Sequence, residues 1–307
     1  MNKKIAYVFP GQGSQFIGMG KDFYENSSLA KDMFTLASDR LKIDMKSLLF
    51  EENDKLNETE YSQPAIFLVS AIAYKLFENS LSIKPSFALG HSLGEFGALF
   101  SVKALGFLDG IELVRERGLL MKQACEGKNA GMMVLLGLSD EKVEEICKDA
   151  QGKNKQIFAA NYNNDGQIVI AGTKSDLEEY TNVFKDAGAK RAMLLPMSVA
   201  SHCPLLASAQ KPLREKMQIF LKNSFDAPVI SNVTASAYDK KDEALNLLAE
   251  QLIKPVKYKQ SILNNPADIY VEFGASVLKG LNKKISSAPT LSIIDMASLK
   301  EAVETLK

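Results

Sequence analysis

Ala88-Leu89-Gly90-His91-Ser92-Leu93-Gly94-Glu95 carries an apolar segment, Ser86 to Leu89, straight into a helix-compatible run, Glu95 to Phe100. Between a strand and a helix, Gly-x-Ser-x-Gly has the context of a nucleophile elbow. Such a turn strains the backbone of its central residue, so Gly90 and Gly94 stand where no β-carbon fits. Ser92 is then exposed at the sheet edge, beside the Leu93 amide and a helix N-terminus. The spacing by itself equally describes a glycine-rich turn with an idle serine, and only the flanking strand and helix favour catalysis.

The chain has 307 residues, 46% of them hydrophobic, enough for one large core or for one core with a smaller one inserted. Lys+Arg and Asp+Glu both number 37, a balance that argues against a dedicated nucleic-acid binder. Cys125, Cys147 and Cys203 are odd in number and far apart, which indicates neither a disulfide framework nor a zinc site and fits a reducing cytosol. Lys3-Lys4 before Ile5–Phe9 resembles the start of a signal peptide, but the apolar run is short and ends in Pro10-Gly11, so a first strand is expected. No stretch is long enough to span a membrane, and no membrane partner is expected.

That first strand empties into Pro10-Gly11-Gln12-Gly13-Ser14-Gln15. Phe16 occupies the third glycine position of a dinucleotide fingerprint, which excludes that reading. A flexible turn aiming amides at an anion and a plain strand-to-helix turn both remain. Ser62-Gln63-Pro64 opens a helix to about Asn79 with Pro64 at its first position, and Asp109 caps another to about Ala124. Arg117 falls in the apolar stripe of that second helix, where it needs an anionic partner or a wet cavity, or else snorkels or pairs with a glutamate.

From Gly131 the pattern changes. Strands at Met132–Gly137, Gln156–Asn161, Gln167–Ala171 and Arg191–Met197 alternate with helices capped by Ser139 and by Thr173 or Ser175. Tyr162-Asn163-Asn164-Asp165-Gly166 reads as the turn between the middle strands. The βαββαβ order is ferredoxin-like and reads as a subdomain over residues 128–197, inserted in a larger α/β domain over 1–127 and 198–307. Past it, Ser198-Val199-Ala200-Ser201-His202 places His202 in a loop before a helix. With only two histidines, and His91 directed away from its neighbour, His202 is the candidate if an imidazole activates Ser92; taken alone, a lone histidine reads as structural or exposed.

Taken in order, Pro10–Gln15, Gly90–Glu95, Arg115-Glu116-Arg117-Gly118, Ser198–His202 and Glu250-Gln251-Leu252 with Pro255-Val256 resemble the malonyl-CoA:acyl-carrier-protein transacylase family over essentially the whole chain. The resemblance implies a hydrolase-like parallel-sheet α/β domain with the ferredoxin-like insert. It implies malonyl transfer from malonyl-CoA to the phosphopantetheine thiol of acyl carrier protein, supplying fatty-acid synthesis, with no cofactor or metal. Ser92 and His202 would be the catalytic dyad, and the backbone amides of Gln12 and Leu93 the oxyanion hole. Arg117 would bind the malonyl carboxylate, and the Gln251 carbonyl would orient the imidazole. The partners would be coenzyme A thioesters and acyl carrier protein, with Lys254, Lys257, Lys259 and Lys190-Arg191 offering a basic docking surface to a cytoplasmic, monomeric enzyme. Gly274-Ala275-Ser276 departs from the family's Gly-Pro-Gly. The rival readings are a serine thioesterase or esterase, which gives Arg117 no role, and an inactive docking platform.

Overall fold

A computed structural model describes residues 3–197 and 199–307; Ser198, the first residue of the motif leading to His202, lies outside them. Among the described residues ten strands form two sheets: β1 (Ile5–Phe9), β2 (Phe87–Gly90), β3 (Ala130–Leu136), β4 (Ile157–Asn164), β5 (Gln167–Thr173), β6 (Arg191–Leu194), β7 (Val229–Ile230), β8 (Ala237–Tyr238), β9 (Ile269–Phe273) and β10 (Thr290–Ile293). The larger sheet runs β10-β9-β1-β2-β7-β8, parallel throughout except for the last pair. Every residue of β1 is buried, as a strand covered by helices on both faces requires. Loops leaving the C-terminal ends of β1 and β2 lie side by side, where open parallel sheets bind ligands.

The second sheet runs β4-β5-β3-β6 with every pair antiparallel, the ferredoxin-like order. It has its own core, including Met133, Leu135, Ile168, Ile170 and Phe184. Main-chain bonds tie it to the larger unit, from Tyr162 N to Val256 O (2.9 Å) and from Val256 N to Ala160 O (2.8 Å).

Local expectations are corrected in four places. The helix assigned to begin near Pro64 runs Thr59–Ser80, so Pro64 lies inside it. Its missing amide hydrogen frees the Glu60 carbonyl, which Arg115 Nη1 takes instead. The helix Phe107–Cys125 starts after Gly106, and Asp109 makes no cap bond but faces Arg40 at 4.0 Å. The expected turn at 162–166 shrinks to Asp165-Gly166, because a register shift at Tyr162/Asn164 lets β4 continue through Asn164. The helix after Thr173 breaks at Tyr180 into Lys174–Glu179 and Thr181–Asp186.

Gly118 lets the Phe107–Cys125 helix approach the start of Thr59–Ser80. A β-carbon there would lie 2.6 Å from Glu60 Cα and 2.8 Å from Thr59 O. Both contacts are backbone and cannot swing aside. Gly118→Ala should therefore cost about 1–3 kcal/mol of stability, read as a lower urea midpoint at unchanged slope.

Candidate active site

The turn after β2 holds Ser92 in the left-handed region at φ 54°. A β-carbon on Gly90 would lie 1.9 Å from the Gly94 carbonyl carbon, and one on Gly94 2.0 Å from Phe9 O, so neither position admits another residue without moving backbone. Asn232, just beyond β7, pins the turn from both ends. Its Oδ1 accepts from Ser92 N at 2.7 Å, and its Nδ2 donates to Gly90 O at 2.7 Å.

His202 also sits at positive φ, 61°, and is 1% exposed. Its Nδ1–H donates to Gln251 O at 2.6 Å, which leaves Nε2 bare to accept from Ser92 Oγ at 2.7 Å. Burial first, and then the nearby Arg117 charge, pull the imidazole down to about 3, so it is neutral at physiological pH.

Arg117 is the largest fully buried side chain. Nη1 donates to Gln63 Oε1 (2.7 Å), and Nη2 donates to Gln251 Oε1 (3.0 Å) and Ser92 Oγ (3.1 Å). Nε has no partner among the described residues, where no carboxylate forms an ion pair with this guanidinium. Burial lowers it to about 10, which leaves it charged at neutral pH. The glutamate pairing considered from sequence is thus replaced by neutral acceptors. The nearest acid electrostatically, Glu95, is itself buried, and desolvation pushes its carboxyl up to about 7 against bonds from Asn232 N, Tyr238 and Gln251 and the Arg117 charge.

Leu93 begins the helix Gly94–Ser101, and Gln12 follows β1 with its side chain held by Thr59 Oγ1 at 3.1 Å. Among the described residues the main-chain amides of Leu93 and Gln12 have no acceptor, although Ser92, Gly94 and Glu95 amides do. Gln12, Ser92, Arg117 and His202 share a cavity of about 250 Å³, walled on the other side by Met132, Asn161, Asn163 and Val169 of the second sheet. His91 lines it too, but its Nε2 donates to Asn163 Oδ1 at 2.7 Å and makes no bond to Ser92 Oγ. Lys259 leaves the expected docking surface: it is 13% exposed and paired with Asp140 and Asp165 of the smaller unit. Lys254 pairs with Glu250 at 2.8 Å and stays exposed, as Lys190 and Arg191 are, and Lys257 is half-buried.

The family model for the acyl transferase domain matches residues 6–277. The malonyl CoA-acyl carrier protein transacylase of Bacillus subtilis (strain 168) is 37% identical over 310 residues, spanning 99% of this chain and 98% of that protein. The chain belongs to the malonyl-CoA:acyl-carrier-protein transacylase family. The crystal structure of a transacylase of this family from Helicobacter pylori is 47% identical with a TM-score of 0.96, covering 99% of each chain. Another family structure, of a malonyl-transacylase in complex with its holo type II PKS acyl-carrier protein, is 34% identical with a TM-score of 0.93, covering 98% of this chain and 99% of that one.

In this transacylase, sequence reasoning missed Glu95, Asn232 and the side chains of Gln63 and Gln251. Only Glu95 carried a local signal, an acid in the otherwise largely apolar helix Gly94–Ser101; the roles of Asn232, Gln63 and Gln251 are set by partners distant in the chain. Because the Arg117 charge depresses His202, Arg117→Ala should raise the imidazole pKa and move the acidic limb of Ser92 acylation to higher pH. The pH–rate profile of acetylation by p-nitrophenyl acetate measures this, and an unmoved limb means burial alone sets the imidazole.

Proposed function

We propose that this protein transfers the malonyl group from malonyl-CoA to the phosphopantetheine thiol of acyl carrier protein, supplying fatty-acid synthesis. The observation that carries the reading is a Ser92–His202 hydrogen bond of 2.7 Å with a buried guanidinium, free of any carboxylate, 3.1 Å from the same hydroxyl.

Ser92 Oγ attacks the thioester carbonyl as its proton passes to His202 Nε2. The oxyanion is received by the amides of Leu93 and Gln12, donors of a kind whose loss costs about 2.7–4 kcal/mol of barrier. Collapse breaks the C–S bond, and the imidazolium returns its proton to the coenzyme A thiolate. The carrier thiol then gives a proton to His202, attacks the malonyl-serine ester and regenerates the Ser92 hydroxyl. The Gln251 carbonyl fixes the imidazole tautomer throughout, a role a neutral acceptor fills without a third ionised group. Every step uses protein groups, so no cofactor or metal is required.

Arg117 reads the far end of the acyl group, because a malonyl carboxylate supplies the anion that its neutral neighbours do not. Pairing also cancels the charge that depresses His202, so the base strengthens when the correct acyl group is seated. An acetyl group leaves the guanidinium buried and unpaired. A thioesterase reading gives this residue no purpose.

The site is complete within one chain, which supports a monomer, and three buried free thiols support a reducing cytoplasm. Among the described residues no helix is long and apolar enough to cross a membrane. Lys190, Arg191 and Lys254, all exposed, and the half-buried Lys257 are the remaining candidates for docking an acidic carrier protein.

Intact mass after mixing with malonyl-CoA tests the reading: the parent gains one malonyl group and Ser92→Ala gains none. Arg117→Ala should lose malonyl loading yet keep or gain acetyl loading, and equal losses of both would count against carboxylate recognition. Double-reciprocal plots for transfer should be parallel, whereas intersecting lines would indicate a ternary complex.

A further inference from the structure

We propose that Glu95 is a positioning residue for acyl selection: its buried carboxylate fixes the Gln251 carboxamide and, through it, the aim of the Arg117 guanidinium. The inference rests on the malonyl-transfer reading above. Glu95 lies three residues beyond the nucleophile, in the first turn of the helix Gly94–Ser101, and is 1% exposed. It does not touch the cavity that holds Ser92 and Arg117. Its Oε2 accepts from Gln251 Nε2 at 2.8 Å and from Asn232 N at 3.1 Å, while Oε1 accepts from the Tyr238 hydroxyl at 2.8 Å.

A carboxamide has one acceptor oxygen and one donor nitrogen, so its orientation decides what it offers. Gln251 Nε2 also donates to Ser92 O at 3.1 Å, which leaves Oε1 facing Arg117 Nη2 at 3.0 Å. If the amide turned over, its oxygen would meet the Glu95 carboxylate and the Ser92 carbonyl, and its nitrogen would meet a guanidinium donor. Both ends would then repel. Three acceptors hold Nε2, namely Ser92 O, Asn232 Oδ1 at 3.4 Å and Glu95 Oε2, and the last also receives Asn232 N, so it meets the carboxamide as an acceptor whatever the charge of its carboxyl. A buried carboxyl oxygen thus reaches the substrate-reading cation through one intervening amide, by its position.

Length and charge are separable here. Glu95→Gln keeps the reach and can present its oxygen to Gln251 and Asn232 while losing the charge. Glu95→Asp keeps the charge and withdraws it by one methylene. The readout is the ratio of malonyl to acetyl loading rates on Ser92, followed by intact mass, for variants whose folding is checked by circular dichroism. Positioning predicts that Glu95→Asp lowers the ratio by about tenfold, the scale of one lost hydrogen bond, and that Glu95→Gln holds it within about threefold. In a Gln251→Leu background, Glu95→Asp should lower the ratio no further.

A ratio unchanged in Glu95→Asp overturns the proposal. So does a fall in Glu95→Gln as deep as in Glu95→Asp, which would assign the effect to charge. A purely structural Glu95 would slow both acyl groups equally and leave the ratio alone. If the parent protein itself fails to load malonyl, the functional reading falls and this one falls with it.

Discussion

A guanidinium withdrawn from water keeps its charge, and the cost of that withdrawal is several kcal/mol unless hydrogen bonds and a counter-charge offset it. At Arg117 the offset is incomplete. Among the described residues, two glutamines and a serine hydroxyl supply neutral acceptors, Nε is left without one, and the Glu95 carboxyl is separated from the guanidinium by the Gln251 amide. Much of the surrounding architecture follows from that imbalance. The cation faces a cavity rather than the core, and the nucleophile stands against it. The base beside it is kept neutral, and the polar side chains around it come from elements far apart in the chain.

The second sheet completes the enclosure. Parallel strands end in loops that leave one side of a site open, and here β3, β4 and β5 close that side with Met132, Asn161, Asn163 and Val169. The bonds linking Tyr162 and Ala160 with Val256 make this wall a main-chain extension of the larger unit. The Lys259 pairs with Asp140 and Asp165 fasten the same junction from inside. This wall screens one side of the half-buried Ser92, which suits an acyl ester that must outlast hydrolysis until a second thiol arrives.

How far the sequence could be read depended on how local each constraint is. β1, β2 and the elbow were legible because continuous apolar runs and glycine spacing act within a few residues. Ser92 was visible from that spacing, and His202 from the scarcity of histidine. Asn232 was not, because its task is defined by a partner 140 residues away at Ser92. Gln251 was half legible: its carbonyl came with the family pattern, whereas its carboxamide acquires meaning only once Glu95 and Arg117 converge on it. Asn163 was hidden by its own composition, since Asn-Asn-Asp-Gly signals a turn and only the register shift in β4 turns two of those residues into strand.

Pro64 has an effect out of proportion to its ordinary reputation as a helix disruptor. By leaving the Glu60 carbonyl unclaimed, it creates an anchorage that Arg115 occupies, while Arg117, two residues on and about 200° around the same helix, grips Gln63. From two sides of their own helix the two arginines thereby reach adjacent positions of Thr59–Ser80, which constrains the rotation of Phe107–Cys125 about its axis. The bearing of a cationic group deep in the molecule is thus fixed by one hydrogen atom that an imino acid never had.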